Sequence, residues 1–346
     1  MSNPSDHSSP EQSAVTRRSF LRTSLALSAA GALGASPAKA ATTPITLRFG
    51  AIQAPTTSVV RAIEVFKAEL AKTAPDQFKV EIYPSGQLGS FREMMEATQL
   101  GTQDMVVATP AVAAPFAKRM DVMTLLFLAN SKERVFAAVD GDFGKRLNTI
   151  MEDAGFRVLG WWDTGPRHFL NNRRPINTPD DLKGLKMRVI PSPAWVKSMT
   201  ALGANPIAMD YKELFSALQQ NVIDGYEGIV TDVDKSSMYQ AVKHLSLSYH
   251  LFDVFGIYVN KRKFDGFTPQ QQKLVTDAMA VATAWQRKAQ TAEIDESMAK
   301  LRTVMTVNEI SAPNRQLFIA KVRPVYKEFD NDLGRDLIEA AVKAMG

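Results

Sequence analysis

The chain of 346 residues contains no cysteine and only four histidines. The absence of cysteine excludes disulfides, thiolate metal ligands and a thiol nucleophile. The histidines, at positions 7, 168, 244 and 250, do not form an H-E-x-x-H motif or another recognised metal-binding spacing. A G-x-S-x-G elbow, a Walker loop and a G-x-G-x-x-G after a strand are also missing. We therefore predict no cofactor and no metal site, with a pair of catalytic carboxylates as the open alternative.

Long apolar runs and strong net charge are missing as well. The apolar stretch at residues 25–35 is shorter than the roughly 20 residues that a membrane-spanning helix needs, and no later stretch is long and apolar enough to span a bilayer. The chain has 41 basic and 36 acidic residues, a net charge of +5 and no run of like charges. This balance is too mild to indicate nucleic acid as a partner.

The N-terminal segment is typical of an export signal. TRRSFLR at 16–22 has the twin-arginine form, a weakly apolar run follows, and AKA at 38–40 supplies small residues for a signal peptidase. A membrane anchor is the competing interpretation, but the run is short and rich in Ala, Gly and Ser. We interpret residues 1–40 as a cleaved export signal that sends the remaining chain to the periplasm. Arginine pairs also occur in ordinary Sec signals, so both export routes stay open.

Strand and helix patterns alternate along the rest of the chain. Apolar spacing predicts strands and helices in the order Ile45–Phe49, Ser58–Lys72, Phe78–Tyr83, Phe91–Leu100, Met105–Ala108 and, later, strands at Phe156–Trp162 and Phe255–Asn260. Gly165-Pro166 is expected to end one strand, and Asp224-Gly225 to form a turn. From Thr268 a helix of about 35 residues is predicted, with two shorter helices as the alternative. This order indicates an α/β fold, with mixed sheets and helices on both faces.

The stretch LKGLKMRVIPSP at 182–193 places an arginine at the end of a strand. Apolar residues alternate from 185 to 189, Pro191 ends the pattern, and Ser192-Pro193 is typical of a helix start. Ligands of α/β proteins bind at strand ends of this kind. Arg188 is therefore a candidate ligand residue, and the alternative is a solvated arginine on an edge strand.

Four stretches together resemble the solute receptors of TRAP (tripartite ATP-independent periplasmic) transporters, the DctP-type family. They are YPSGQLG at 83–89 with LGTQD at 100–104; WDTGPR at 162–167; DLKGLKMRV at 181–189; and the block from LGANP at 202–206 through ELFSALQQ at 213–220 to IDG at 223–225. Each stretch alone is a weak signal, but their order and spacing agree with the family over most of the chain.

The resemblance implies a two-lobed periplasmic binding protein of the type II-like class, with a long helix bridging the lobes. Lobe I would comprise residues 41–164 and about 254–295, and lobe II residues 165–253 and about 296–346. It also implies that Arg188 binds a ligand carboxylate, for which the planar, permanently charged guanidinium is suited. Arg167 corresponds to a second family arginine, and an ion pair between elements is its alternative role.

Three further positions are assigned by the resemblance alone. Tyr211 stands where the family often has an aromatic ring that lines the pocket. Thr109 and Gln53 follow strands of the first lobe, at loop positions that vary with the ligand. We expect all three to lie at the binding site.

The chain departs from the family after IDG. The family usually continues x-E-N-P, and its asparagine helps to hold the ligand carboxylate, whereas this chain has Tyr226, Glu227 and Gly228. Gly228 cannot donate that hydrogen bond, and its missing side chain would leave room for a bulkier group. Tyr226 is expected to supply a hydroxyl or a stacking face, with ordinary packing as its alternative. Glu227 matches the family and could orient an arginine or a ligand hydroxyl.

The function implied is that of a monomeric receptor for a small carboxylate, which it delivers to integral-membrane TRAP permease subunits driven by an ion gradient. Two alternatives stay open. A receptor of the same fold could serve a signalling partner or another transporter, and a periplasmic enzyme could act on a small acid. A dicarboxylate, a keto acid, a sugar acid and an aromatic acid are all compatible with the sequence.

The twin-arginine interpretation makes the first prediction. Replacing Arg17 and Arg18 by lysine should leave an uncleaved precursor in the cytoplasm, which fractionation and immunoblotting would detect. Normal export and cleavage of this variant would show that the signal uses the Sec route.

Overall fold

A computed structural model of the chain describes residues 43–346, so the predicted export signal lies outside the described residues. This part of the chain forms nine strands, labelled β1 to β9: Ile45–Gly50, Phe78–Tyr83, Met105–Ala108, Phe156–Asn171, Lys186–Val189, Asn205–Ala208, Gly225–Ile229, His244–Asn260 and Thr306–Glu309. The α-helices α1 to α13 are Ser58–Thr73, Phe91–Leu100, Pro110–Ala113, Lys132–Asp140, Asp142–Asp153, Pro193–Ala201, Tyr211–Gln219, Val230–Lys235, Lys261–Asp265, Pro269–Val304, Ala312–Val322, Val325–Glu328 and Arg335–Met345. Among residues 43–346, no helix has both the length and the apolar character needed to cross a bilayer.

The strands form one mixed sheet in the order β2-β1-β3-β8-β4-β7-β5-β6, with β9 beside β8. β1 runs parallel to β2 and β3, and β5 runs parallel to β6 and β7, whereas β8 and β4 are antiparallel to each other. Helices cover both faces, because Met105 and Val107 of β3 pack in one core with α1 and α10, and Val106 and Ala108 pack in another with α2 and α3. The predicted α/β class with a mixed sheet is confirmed.

Two long central strands join the two ends of the sheet. β4 has 16 residues and β8 has 17, and they pair along most of their length. β3 pairs with one end of β8, while β9 pairs with its other end and β7 pairs with the far end of β4. The predicted lobe boundaries, which cut both strands near their middle, stay a prediction.

The prediction that Gly165-Pro166 ends a strand is wrong. β4 continues to Asn171, and its register against β8 shifts between Asp163 and Gly165. Gly165 has a φ of +84°, which glycine adopts readily, and the irregularity accommodates a proline that cannot donate a ladder hydrogen bond. The turn predicted at Asp224-Gly225 is also wrong in part, because Gly225 already begins β7.

Helix α10 is continuous over 36 residues, which confirms the single long helix. Thr268 caps its N-terminus by accepting from the amide of Gln271, whose side chain in turn accepts from the amide of Thr268, and proline follows at the first helical position. The helix packs against α1, β4 and α8.

A buried polar stripe on α10 contacts these three elements. Gln286 accepts from the amide of Asp163 at 2.8 Å and donates to its carbonyl at 2.8 Å, at the irregular position of β4. Gln290 accepts from the hydroxyl of Ser58 in α1 and donates to Thr231 in α8 at 3.3 Å. The stripe therefore satisfies backbone groups that the irregular strand leaves unpaired, which buried peptide groups require.

A second prediction follows from this stripe. Replacing Gln286 by alanine should lower the free energy of unfolding by about 1–3 kcal/mol, because it leaves a buried amide and a buried carbonyl without partners. Urea unfolding followed by circular dichroism would measure the change, with the exposed Lys288→Ala on the same helix as the control. Equal stability of the two variants would contradict this role for Gln286.

Candidate functional site

The carboxyl ends of β3, β5 and β7 open onto one cavity of about 110 Å³. Its apolar walls include Phe91 of α2, Val112 of α3, Ile190 after β5 and Phe255 of β8. Six of the seven residues predicted from the sequence line it: Thr109, Arg167, Arg188, Tyr211, Tyr226 and Glu227. The cavity therefore has mostly apolar walls and a few polar groups, which is typical of a small-molecule site.

Gln53 is the predicted residue that does not line this cavity. Its side chain is buried after β1, and its Oε1 has no hydrogen-bond partner within residues 43–346. Its carbonyl accepts from the amide of Ser85 at 2.9 Å and so helps to close the loop after β2. A role for the Gln53 side chain at the site stays a prediction.

Arg188 is a buried cation without an acidic partner. β5 lies between β7 and β6, so the predicted alternative of a solvated edge-strand arginine is wrong, and the residue is 3% exposed. Its Nε donates to the carbonyl of Met209 at 2.9 Å, and no described carboxylate lies within salt-bridge distance. Burial lowers the pKa of Arg188 to about 10 despite the opposing effect of Glu227. The guanidinium therefore lines the cavity without a salt bridge to any described carboxylate.

Arg167, the second predicted arginine, is already paired with two carboxylates. Its Nη2 donates to Glu227 Oε1 at 3.0 Å, its Nε donates to Glu227 Oε2, and its Nη1 donates to Asp253 at 3.2 Å. The guanidinium also lies over the ring of Trp195, 4.9 Å from its centroid. Burial lowers the pKa of Arg167, but Glu227 and Asp253 outweigh it and raise the pKa above its ordinary value. The ion pair considered as an alternative is therefore present at the cavity wall.

Glu227 holds this cluster together from β7. It is fully buried, and its Oε2 lies 3.5 Å from Nε2 of His250, whose Nδ1 is 2.7 Å from the hydroxyl of Ser248. Burial raises the pKa of Glu227, but Arg167 and the hydrogen bond with His250 together outweigh it, and the pKa falls below its ordinary value. Burial lowers the pKa of His250, so this imidazole is neutral at pH 7. Glu227 therefore remains ionised and orients Arg167.

Tyr226 and Gly228 form an interlocked pair on one side of β7. A Cβ at Gly228 would lie 2.6 Å from Cε2 of Tyr226, so the ring occupies the space that a side chain at 228 would need. The expected extra room at Gly228 is therefore taken up by Tyr226. The hydroxyl of Tyr226 is buried without a partner in the described chain, and burial raises the pKa of this phenol well above its ordinary value.

Thr109 and Tyr211 supply two more hydroxyls. Thr109 precedes α3, and its Oγ1 is buried without a hydrogen-bond partner within residues 43–346. Tyr211 begins α7, and its hydroxyl lies 3.4 Å from that of Ser236. Burial raises the pKa of Tyr211, so it stays protonated at neutral pH. These hydroxyls can both donate and accept hydrogen bonds.

The sequence did not indicate three charged residues at the site. Asp210 and Asp232 line the cavity, and Arg92 lies at its edge. The sequence marks Asp210 only as the N-cap of α7, a role that it has, since it accepts from the amide of Lys212 at 3.0 Å. Asp232, in the first turn of α8, follows the departure from the family motif, where no pattern marks it. Within the described residues, no group of three or more acidic or histidine side chains is arranged to hold a metal ion.

Comparisons with known proteins agree over most of the chain. Residues 49–332 match the family model DctP, bacterial extracellular solute-binding protein, family 7. The 2,3-diketo-L-gulonate-binding periplasmic protein YiaO of Escherichia coli is 31% identical, with 70% of this chain and 74% of that protein aligned. The C4-dicarboxylate-binding periplasmic protein DctP of Rhodobacter capsulatus is 30% identical, with coverages of 87% and 91%. The crystal structure of the sugar acid binding protein DctPAm of Advenella mimigardefordensis with galactonate superposes with a TM-score of 0.84 at 27% identity, covering 87% of this chain and 98% of that one.

A third prediction concerns the interlocked pair. Gly228→Ala should displace the Tyr226 ring and weaken binding of any acid that the wild type binds, since overpacking forces neighbouring groups to shift. In a Tyr226→Ser background the same change should have little further effect. Calorimetric titration of the four proteins of this double-mutant cycle measures the coupling, and Gly266→Ala serves as a distant control. Additive effects at 226 and 228 would contradict the contact.

Proposed function

The chain belongs to family 7 of the bacterial extracellular solute-binding proteins, and we propose that it is a periplasmic receptor that delivers a small organic acid to a TRAP-type permease. The observation that carries this proposal is the buried, unpaired guanidinium of Arg188 at the cavity. Burying a charge without a partner is costly, and an ionised carboxylate is the ligand group that offsets that cost. The ligand would complete an ion pair that the protein leaves half-formed.

The guanidinium fork determines how the acid would bind. Arg188 has one N–H held by Met209, which orients the group, and its remaining N–H donors have no described acceptor. Two parallel hydrogen bonds from this fork to the two carboxylate oxygens would be shorter and stronger than those of a neutral donor. The buried hydroxyls of Thr109 and Tyr226 also lack partners, and a polar ligand could satisfy both.

Arg167 has a different role in this proposal. Because Glu227 and Asp253 neutralise it, it contributes a rigid wall and a directional N–H group more than a free positive charge. The acid would therefore be attracted by Arg188, whose charge has no acidic partner, and would contact Arg167, whose charge is already paired.

Ligand binding would close the two proposed lobes about the long strands. The cavity is lined by residues from both ends of the sheet, Thr109 after β3 and Arg188 of β5 among them. The strands that join these ends, β4 and β8, carry a register shift near their middle, between Asp163 and Gly165. A hinge at this irregular position would let the ends approach and exclude water from the ion pair.

The relatives bind different acids, as their names state: a diketo sugar acid, C4-dicarboxylates and galactonate. We propose an acid of this general kind, bound without cofactor and released without chemical change to integral-membrane permease subunits. We further propose that the receptor acts as a monomer in the periplasm. A neighbouring pair of permease genes would support the transport role over a signalling one.

A fourth prediction separates the two arginines. Arg188→Met should weaken binding of the recognised acid by roughly two to four orders of magnitude, because its carboxylate would be desolvated without a partner. The unliganded protein should stay folded, since this arginine pairs with no described carboxylate. Arg188→Lys should be nearly as damaging, because an ammonium cannot match both oxygens.

Arg167→Met is the matched comparison. It should destabilise the unliganded protein by about 3–5 kcal/mol, because it leaves Glu227 and Asp253 buried without their cation. Thermal melts of both unliganded variants, beside calorimetry with an acid that stabilises the wild type, measure the two effects. Near-normal affinity of Arg188→Met, or its unfolding, would overturn the proposed site.

A further inference from the structure

The cavity contains an acidic side chain that the proposed carboxylate site does not use. Asp232 of α8 lines the cavity and makes no side-chain hydrogen bond or ion pair within residues 43–346. Burial raises the pKa of Asp232 to about 6, with Arg167 opposing the shift, so the group is largely ionised at pH 7. An ionised carboxylate that faces a cavity is a hydrogen-bond acceptor only.

Asp232 and Arg188 lie on different elements of the cavity wall. Arg188 of β5 pairs with Tyr226 near the start of β7, whereas Asp232 lies beyond the carboxyl end of β7, in the first turn of α8. Asp232 forms no ion pair with Arg188, although Arg188 is the one buried cation in the described chain that the cavity leaves unpaired. A ligand held at Arg188 would therefore meet Asp232 with a part of the molecule away from its bound carboxylate.

The cavity has little capacity for a second ligand carboxylate. The positive charge of Arg167 is already paired with Glu227 and Asp253. Arg92 lies at the edge with its side chain 69% exposed, and its Nε already donates to Glu96 at 2.9 Å. A dicarboxylate would bring its second anion towards Asp232 between apolar walls, where two like charges repel strongly and one would have to be protonated.

The unpartnered hydroxyls favour a hydroxylated ligand over an ammonium compound. Thr109 Oγ1 and Tyr226 OH are buried without partners in the described chain, and each needs both a donor and an acceptor. A ligand hydroxyl supplies both, and it can also donate to Asp232. An ammonium group only donates, so it would leave the protein hydroxyls without an acceptor for their own protons.

We propose that the ligand carries a single carboxylate and a hydroxylated carbon chain, and that Asp232 selects against dicarboxylates by accepting a hydrogen bond from a ligand hydroxyl. This inference rests on the proposed function, because it assumes that the carboxylate binds Arg188. It assigns Asp232 as a specificity-determining residue.

The test compares four probes by calorimetry on protein freed of co-purified solute: galactonate, erythronate, succinate and serine. The wild type should bind one of the two hydroxylated monocarboxylates more tightly than succinate or serine. Asp232→Asn should weaken that acid by about 10- to 100-fold, because a charge-assisted hydrogen bond is lost, and should strengthen succinate. Asp295→Asn is the control, because this aspartate of α10 is exposed and does not line the cavity, and it should leave this preference unchanged.

The outcomes separate the inference from the proposed function. Tighter binding of succinate than of either hydroxylated acid, lost on Arg188→Met, would overturn the inference while supporting the carboxylate site. The inference would also be wrong if serine bound most tightly, or if Asp232→Asn weakened succinate and galactonate equally. Binding that is unaffected by Arg188→Met would overturn the proposed function itself.

Discussion

The ion cluster of Arg167, Glu227 and Asp253 is the interaction on which the site depends. Its members lie on β4, β7 and β8, so it ties together the two long central strands and the strand next to them in the sheet. Burial of three charges is tolerated because each carboxylate accepts a hydrogen bond from the single guanidinium. Because the two carboxylates of the cluster neutralise the charge of Arg167, Arg188 is the cation that can attract an anion to the cavity. The same ion cluster thus forms part of the cavity wall and determines which arginine is available to an anion.

The two arginines illustrate how environment gives one residue type two roles. Both are almost fully buried and both line the same cavity, yet one has two carboxylate partners and the other has a single carbonyl. Arg167 stabilises the fold, since its removal would leave Glu227 and Asp253 buried without a cation. In the proposed site, Arg188 is a buried charge without an acidic partner, and a ligand carboxylate would offset the cost of burying it. Fold stability and ligand binding would therefore depend on different arginines.

Much of the fold and part of the site could be predicted from the sequence, for physical reasons. Regular apolar spacing and strong capping residues located α10 and most strands, and the strand-end position of Arg188 indicated the edge of the sheet at which the cavity lies. The continuation of β4 through Gly165-Pro166 could not be predicted, because the partner that tolerates the irregularity, Gln286, lies more than a hundred residues away. Asp253 was missed for a related reason: the strand was predicted to begin at Phe255, so this acid fell outside it. The role of Asp232 could not be predicted either, because it depends on which charged side chains the fold brings close to it.

The continuity of α10 has a geometric consequence. One face of this helix is bonded to α1 through Ser58 and to α8 through Thr231, and its length is about 54 Å at 1.5 Å per residue. Thr231 directly precedes Asp232 in the chain, so the acid that lines the cavity is next to a residue that is hydrogen-bonded to α10. An unbroken helix resists a change in its length far more than a change in its orientation relative to its neighbours. In the proposed closure, the two ends of the sheet would therefore change their relative orientation while the length of α10 stayed constant.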